Sequence, residues 1–265
     1  MYRNEYDTDV QLWSPQGRIH QIEYAMEAVK QGAVCLGLRS SKLVVMAALK
    51  RSQSELASPQ QKLFRIDNHL GIAISGLTAD ARSLSKFMRM ECMNHTYVYG
   101  SQLPVSRLTE TIADKATDRT FGYGKRPYGV GLLVGGIDKS GPRLFYTCPS
   151  GQHLEYYAMA IGARSQSAKT YLEKHFESFP DMSKEDMIQH AVQALHAALQ
   201  GDKELTRDNA CVSVVGVDHD WEIIDGEAIQ PYLDALETAG GDGDEEDVEM
   251  DGEGEAKDEG MDTSA

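Results

Sequence analysis

The sequence predicts an α+β protein in which two antiparallel sheets stack on each other and helices cover their outer faces. Three observations predict this class. Apolar runs of strand length occur in pairs joined by short polar turns, helical periodicity occurs in separate pairs of segments, and strands and helices form blocks. The order is helix, four strands, two helices, four strands, two helices, two strands, helix. Because strands and helices do not alternate, a doubly wound parallel sheet is not expected.

The first four predicted strands form two hairpins. Residues 34–38 and 43–49 are separated by four polar residues, and residues 63–66 and 70–74 by three. Short polar connections of this kind are typical of antiparallel neighbours. The second and fourth runs are almost continuously apolar, which predicts strands that are covered on both faces.

A pair of helices follows the hairpins. The first is predicted from apolar residues that recur at steps of three and four, with Thr78 as its N-terminal cap and Gly100 beyond its end. This stripe consists of Leu77, Ala81, Leu84, Met88 and Cys92. The second helix is predicted to begin at Pro104, because proline is well suited to the first turn of a helix.

The second half of the chain supplies the remaining elements. Strands are predicted at residues 128–134, 143–147, 154–156, 158–161, 211–215 and 221–224. Helices are predicted from about 164 to 176, from a Ser183 cap to about 199, and around Ile229, Tyr232, Leu233 and Leu236. About ten strands are therefore available for two sheets, and the helix pairs cover their outer faces.

The charge is concentrated at the C-terminus. Residues 238–265 contain twelve acidic residues and one lysine, so this segment carries −11 of the total −15 and leaves −4 for residues 1–237. An apolar fraction of 41% is too high for a wholly disordered acidic protein, and the acidic balance argues against a nucleic-acid binder. We expect a folded body followed by a disordered acidic tail at 238–265.

Other composition features point to an intracellular protein without a membrane partner. No run approaches the about 20 apolar residues of a membrane span, and the first residues do not resemble a signal peptide. The four cysteines are far apart and form no C-x-x-C pair, so we expect reduced core residues.

Motifs for a cofactor or a metal are missing from the sequence. It contains no H-E-x-x-H, P-loop or G-x-S-x-G motif, and its eight histidines are scattered. Gly129 and Gly131 lie inside a predicted strand and lack the third glycine of a dinucleotide fingerprint, so close sheet packing is the better interpretation. We predict neither a cofactor nor a metal.

The N-terminal segment is the most informative part of the chain. Ser14-Pro15-Gln16-Gly17 has the composition of a type I turn and leads into an amphipathic helix predicted at 18–30. An ordinary turn before a helix would explain this much. It would not explain the preceding polar stretch at 6–9, which offers an aromatic hydroxyl and two carboxylates.

These residues carry a resemblance to a known family. Tyr6-Asp7 followed by WSPQGRIHQIEYAMEA at 13–28 resembles the N-terminal signature of proteasome alpha subunits. The similarity continues through KLFRID at 62–67, GLTADAR at 76–82, RPYGV at 126–130 and Ile161-Gly162, and so covers residues 4–236. It implies the four-layer αββα sandwich of N-terminal nucleophile hydrolases. The implied alpha-type domain spans 1–237, with a gate segment at 1–12.

The resemblance also implies that this chain is not an enzyme. In the related beta subunits, a threonine released after a glycine attacks the substrate with its own amine as base. The matching pair here is Gly32-Ala33, and the position of the family's second acidic residue holds Leu49. Lys62 matches the catalytic lysine, but a lysine alone cannot perform acyl transfer. No catalytic residue is therefore expected.

A different role for Lys62 follows from the same resemblance. In similar alpha subunits this lysine lies in a pocket between neighbouring subunits and pairs with the C-terminal carboxylate of an activator tail. Gly17, Gly32, Gly76 and Leu77 would line the pocket. The alternative is an ordinary lysine in solvent at the start of a strand.

Four further residues match the cluster that holds the family's N-termini in an open gate: Tyr6, Asp7, Pro15 and Tyr24. A phenol and a carboxylate can share a charge-assisted hydrogen bond, and proline fixes the adjoining turn. Purely local packing is the alternative. Residues 1–5 are expected to be mobile or part of the closed plug, and the helix at 18–30 to contact a neighbouring subunit.

The implied function is a structural and gating subunit in the outer ring of the 20S core, in the cytoplasm and nucleus. Its partners would be six other alpha subunits, the beta ring, regulatory ATPases and other activators, and unfolded polypeptides. Two other classes stay open at this point: an active N-terminal nucleophile hydrolase, which Ala33 argues against, and an acidic-tail binding protein, which would leave the folded body unexplained.

Overall fold

A computed structural model describes residues 6–52, 54, 56–199 and 204–240. The predicted acidic tail beyond Gly240 and the predicted plug at 1–5 lie outside these residues. The strands are β1 Cys35–Arg39, β2 Leu43–Leu49, β3 Leu63–Arg65, β4 Leu70–Gly76, β5 Val130–Asp138, β6 Gly141–Thr147, β7 His153–Glu155, β8 Ala158–Ile161, β9 Ala210–Gly216 and β10 His219–Asp225. The α-helices are α1 His20–Gln31, α2 Thr78–Tyr99, α3 Val105–Phe121, α4 Ser165–His175, α5 Lys184–Ala197 and α6 Gln230–Gly240.

The strands form two antiparallel sheets. The first has the order β10-β9-β2-β1-β8 and the second the order β3-β4-β5-β6-β7. The register pairs Leu36 with Ala47 in the first sheet and Ile72 with Val134 in the second. This arrangement confirms two stacked antiparallel sheets of five strands each in the described part of the chain.

Three apolar layers separate the elements. The layer between the sheets contains Met46, Leu133 and Leu144. The outer face of the first sheet packs on α4 and α5 through residues such as Phe179 and Ile188, and the outer face of the second sheet packs on α2 and α3. Almost every residue of β2 and β4 is buried, because each strand has an apolar layer on both faces. The αββα order is therefore confirmed.

One predicted helix cap is wrong. The residue before the first turn of α2 is Leu77, which makes no side-chain capping bond, and Thr78 is already helical. The hydroxyl of Thr78 instead accepts a hydrogen bond from the Gln60 side chain. The predicted end at Gly100 is confirmed by a left-handed conformation with φ 63°.

The cap of α5 is confirmed. Ser183 Oγ accepts a hydrogen bond from the backbone N–H of Asp186 at 3.2 Å, which satisfies one of the unpaired donors of the first helical turn. All four cysteines are buried and free, as the sequence indicated. No helix in the described ranges has the length and apolarity needed to cross a membrane.

The helix α1 lies over β4 and β5, at one end of the sandwich. Ala25 and Val29 are buried, whereas Tyr24 and Met26 on the same helix are exposed. The helix begins at His20, two residues after the predicted start. At the other end of the chain, α6 continues to Gly240, so the backbone is helical for three residues beyond the predicted boundary at 237.

Candidate functional site

A cavity of about 790 Å³ opens where α1 ends and β3 begins. Gly32, Lys62 and Gly76 line it together with two arginines, Arg51 and Arg82. The chain reaches this point because Gly32 terminates α1, with its N–H bonded to Val29 O at 3.1 Å. The cavity therefore combines three cationic side chains with a wall of backbone that carries no side chains.

Lys62 is the central residue of this cavity. Only 3% of its surface is exposed, which rules out an ordinary solvent lysine. Its side chain makes no hydrogen bond or ion pair with a described residue, and its backbone oxygen accepts the N–H of Ile74 at 3.1 Å. Burial lowers the pKa of the ammonium, the nearby Cys35 raises it by a smaller amount, and the charge of Arg51 lowers it. A buried cation without an anion is costly in free energy, so a negative group bound here would stabilise it.

The glycine wall cannot accept larger residues. A Cβ on Gly32 would collide with the backbone N of Gly76 and with Ser75 Oγ. Gly76 has φ +113°, and a Cβ there would collide with the carbonyl oxygen of Gly129. Ser75 fixes the wall from below, since its hydroxyl lies 2.9 Å from the carbonyl oxygen of Val29. The segments that meet at this wall can pack so closely only because these two positions are glycine.

The positions that would carry catalysis are apolar. Ala33 is 3% exposed and follows a helix and the glycine, whose carbonyl accepts the N–H of Ala163 at 2.8 Å. Leu49 ends β2 and offers no acid. Positions 33 and 49 therefore offer neither a hydroxyl nor a carboxylate beside Lys62.

The N-terminal cluster joins α1 through Tyr24, and Gly32 of the glycine wall follows the last residue of the same helix. Tyr24 Oη donates to Asp7 Oδ2 at 3.3 Å, and the Gln21 side chain donates to the backbone oxygen of Asp7. Partial burial and then the nearby Asp7 carboxylate raise the pKa of Tyr24. Tyr6 is also at the surface, with 37% exposed. The phenol and carboxylate predicted to interact are therefore in contact.

The predicted turn before α1 is closed by three hydrogen bonds, one of them from the N–H of Ser14 to Arg18 O at 2.8 Å. The N–H of Gly17 donates to Ser14 O at 2.9 Å, and Ser14 Oγ accepts the N–H of Arg18 at 3.1 Å. Pro15 is exposed at the second position of the turn, and Gly17 has φ +74°. The turn thus sets the angle at which residues 6–13 leave the helix.

Only part of the predicted pocket is assembled within one chain. Gly32, Lys62 and Gly76 line the cavity, whereas Gly17 and Leu77 do not. Leu77 is half exposed and contributes its N–H to Gly129 O at 2.8 Å. Gly17 lies in the turn at the opposite end of α1.

Sequence reasoning missed an ion pair beside this site. Asp80, on the first turn of α2, accepts two hydrogen bonds from the Arg126 guanidinium at 2.7 and 2.8 Å and a third from the N–H of Gly129 at 2.9 Å. The bonds from Arg126 lower the pKa of Asp80, and the bond from Gly129 adds to this effect. Both residues lie within the motifs GLTADAR and RPYGV, which carried the resemblance but gave no reason to pair them.

Comparison with known proteins identifies the class. The N-terminal signature of A-type proteasome subunits matches residues 6–28, and the general model of proteasome subunits matches residues 29–215. The chain belongs to the proteasome subunit family, and its N-terminus is of the alpha type.

Particular relatives narrow this class. The chain is 53% identical to the alpha type-1 proteasome subunit of Dictyostelium discoideum, over 94% of this chain and 99% of the relative. It is 48% identical to the probable alpha type-6 proteasome subunit of Schizosaccharomyces pombe, over 91% and 88%. It is 47% identical to the alpha type-1 proteasome subunit of Drosophila melanogaster, over 84% and 81%.

Proposed function

We propose that this chain is a non-catalytic subunit of the outer alpha ring of the 20S proteasome core. Its partners there are six other alpha subunits and the beta ring, and it contributes to degradation of unfolded polypeptides in the cytoplasm and nucleus. The observation that carries the proposal is Lys62, which is buried without an anionic partner in the described part of the chain. Ala33 and Leu49 occupy the other two positions of the family's catalytic set.

The absence of catalysis has a direct test. The purified full chain is incubated with fluorogenic peptide substrates, and release of the fluorophore is measured. We expect no turnover, because a lysine without a nucleophile cannot form an acyl intermediate. An Ala33→Thr variant is expected to stay inactive, since the 32 preceding residues block the free amine. Turnover by the unmodified chain would support an active hydrolase instead.

The cavity at Lys62 is proposed to bind the C-terminal carboxylate of an activator tail. An ammonium is a compact charge suited to one carboxylate, and its buried position makes the interaction stronger than in water. The glycines at positions 32 and 76 leave space for the tail's backbone. The pocket is proposed to lie between neighbouring subunits, where Leu77 of this chain and Gly17 of an adjoining alpha subunit's matching turn would complete it.

The docking proposal is tested in core particles assembled with variants of this chain. Binding is measured for a peptide with the sequence of an activator C-terminus and for the same peptide with an amidated C-terminus. Lys62→Ala is expected to weaken binding of the free carboxylate by about tenfold or more and to leave binding of the amide unchanged. Lys139→Ala, in the exposed turn between β5 and β6, is the matched control. Equal affinities for Lys62→Ala and unmodified particles would exclude the pocket.

The cluster of Tyr6, Asp7, Pro15 and Tyr24 is proposed to hold the N-terminal segment in its open conformation. Support comes from the contact between Tyr24 and Asp7 and from the closed turn around Pro15. Such a segment has two arrangements of similar free energy, which a bound tail can bias. Tyr24→Phe removes the hydroxyl alone, so we expect stimulated peptide hydrolysis to fall while tail binding is kept.

A further inference from the structure

The carboxylate of Asp80 joins two segments that are 46 residues apart in sequence. It lies on the first turn of α2, and its side chain is 9% exposed. It accepts both arms of the Arg126 guanidinium and the backbone N–H of Gly129. A forked pair of this kind fixes direction as well as distance, because both guanidinium nitrogens must lie in the plane of the carboxylate.

The α2 end of this connection is the wall of the Lys62 cavity. Gly76 lines the cavity, and only three residues lie between it and Asp80. The N–H of Leu77 also donates a hydrogen bond to Gly129 O at 2.8 Å. Gly129, just before β5, is therefore bonded to both Leu77 and Asp80 at the start of α2. A shift of the wall at Gly76 is therefore transmitted to Gly129 without a flexible segment between them.

The Arg126 end faces the N-terminal segment. A second cavity, of about 360 Å³, is lined on one side by Thr8, Asp9 and Val10 and on the other by residues 123–126. Next to the loop, at the last residue of α3, Phe121 O accepts a hydrogen bond from the Gln11 side chain at 2.6 Å. The loop at 122–126 contains two glycines and an 86% exposed Tyr123, so few contacts besides the Asp80 bonds hold it.

We propose that Asp80 is a positioning residue that couples occupancy of the Lys62 cavity to the position of the segment at 6–12. This inference rests on the proposed function, because it assigns the route by which a bound carboxylate reaches the gate. The wall moves with α2, Asp80 moves the Arg126 loop, and a shift of the loop changes the cavity that separates it from residues 8–10. Asp80 itself touches neither the ligand nor the N-terminal segment.

The alternative to this role is local stability alone. Both roles predict that removing the carboxylate loosens the loop, so unfolding measurements cannot separate them. They differ in the relation between binding and opening. Loss of a coupling residue lowers the response to a bound tail, and reciprocity requires a change in the tail's affinity that is small when the open state is sparsely populated. A residue that only stabilises the chain changes neither quantity in the folded particle.

The experiment uses core particles assembled with Asp80→Asn or Arg126→Gln variants of this chain. Asparagine keeps the size of the side chain and one acceptor oxygen, but it cannot accept the forked pair. Glu155→Gln is the matched control, because Glu155 also pairs with arginines, Arg39 and Arg143, at a distant sheet edge. Two quantities are measured for each particle: the Kd of the activator C-terminal peptide, and the ratio of peptide hydrolysis with and without that peptide.

We expect Asp80→Asn to lower the stimulation ratio by about threefold to tenfold, with a Kd that stays within about twofold of the unmodified value. Arg126→Gln is expected to give the same loss, and the double variant no further loss, since both changes remove one connection. Arg126→Lys keeps the positive charge but cannot form the forked pair, so we expect a stimulation ratio between those of the unmodified and the Arg126→Gln particles. Glu155→Gln is expected to leave both quantities unchanged.

An unchanged stimulation ratio in assembled Asp80→Asn particles would overturn the inference. Additive losses in the double variant would also overturn it, since they would mean that the two residues act separately. Failure of the proposed function has a different signature: the peptide would neither bind nor stimulate in the unmodified particle, or Lys62→Ala would leave its Kd unchanged. Circular dichroism of the variant chains and the yield of assembled particles separate these outcomes from misfolding.

Discussion

Lys62 and Asp80 are both buried charged residues with lowered pKa values, and the causes are opposite. Burial lowers the pKa of Lys62, and the opposing effect of Cys35 is smaller. Hydrogen bonds from Arg126 and Gly129 lower the pKa of Asp80, since three donors stabilise its charge. The charged form is therefore disfavoured at Lys62 and favoured at Asp80.

The two charged residues therefore have different effects on the stability of the same fold. Asp80 stabilises the folded chain by joining α2 to the loop before β5. Lys62 makes no such bond: its side chain lines the cavity without a hydrogen bond or ion pair to a described residue, and burial disfavours its charged form. A negative ligand bound in the cavity would supply the interaction that Lys62 lacks. Five predictions test this comparison, from the largest expected effect to the smallest.

The largest effect is expected for Gly76→Ala, because Gly76 lies between the two charges. The new Cβ would meet the carbonyl oxygen of Gly129, and φ +113° is strained for any residue with a side chain. We expect the free energy of unfolding to fall by about 3 kcal/mol or more in urea titration. Gly141→Ala, with φ +106° and open space around it, is the control and isolates the backbone strain. Equal losses in both variants would mean that the packing at Gly76 is loose.

Asp80→Ala is expected to lower the free energy of unfolding by about 1–3 kcal/mol, because it leaves the N–H of Gly129 without its partner. Arg126→Ala is expected to cost less, since 60% of the Arg126 side chain is exposed and the carboxylate retains Gly129. Urea titration of both full-length variants provides the comparison. A larger cost for Arg126→Ala would show that the arginine's packing, and not the carboxylate, holds the loop.

Lys62→Met should act in the opposite direction. Methionine keeps the volume of the aliphatic stem and removes the buried charge, so we expect the free energy of unfolding to rise by about 1 kcal/mol. The same change should abolish preference for a free C-terminal carboxylate in the peptide assay. Lys139→Met in the exposed turn serves as the control. A loss of stability in Lys62→Met would indicate that the ammonium has a stabilising partner in the folded chain.

The smallest effects are expected in the pH dependence of stability, first at Lys62. The folded pKa of Lys62 lies below its unfolded value, so the unfolded chain holds more protons between the two values. Stability of the unmodified chain therefore rises with pH in this alkaline window. The advantage of Lys62→Met is expected to shrink as the pH approaches about 10.4, the unfolded pKa of lysine. An advantage that stays constant up to that pH would remove burial of charge as its cause.

Asp80 provides the acidic counterpart of this window. Its folded pKa is also lowered, so its contribution is complete above about 3.9, the unfolded pKa of aspartate, and is lost as the pH falls through the folded value. Urea titrations between neutral and acidic pH should therefore show a larger loss for the unmodified chain than for Asp80→Asn. Parallel curves for the two chains would contradict the assigned role of the hydrogen bonds.

Much of the fold could be predicted from the sequence. The bounds of β2 and β8 agree with the predicted runs, and the order of all elements is confirmed. These features depend on local patterns of apolar and polar residues, which the sequence displays directly. The wrong cap at Thr78 shows a limit of such patterns. A threonine near the start of an apolar stripe has the composition of a cap, but composition does not fix the residue at which the helix begins.

The class of protein was also accessible, since the signature at 6–28 is contiguous in the sequence. Which residues line the candidate cavity could be predicted only through the resemblance. How these residues come together could not be predicted at all. Whether Gly32 and Gly76 meet depends on the register of α1 over β4, which no local pattern encodes. The same holds for Arg126, whose motif is distant in sequence from Asp80.

The sequence by itself determined which residues are strands and helices, which catalytic groups are missing, and where the charge of the tail resides. The tertiary structure decided that Lys62 is buried without a described partner, whereas Asp80 has three donors. The reason is physical: apolar periodicity is a property of neighbouring residues, but the environment of a charge depends on which distant segments pack around it.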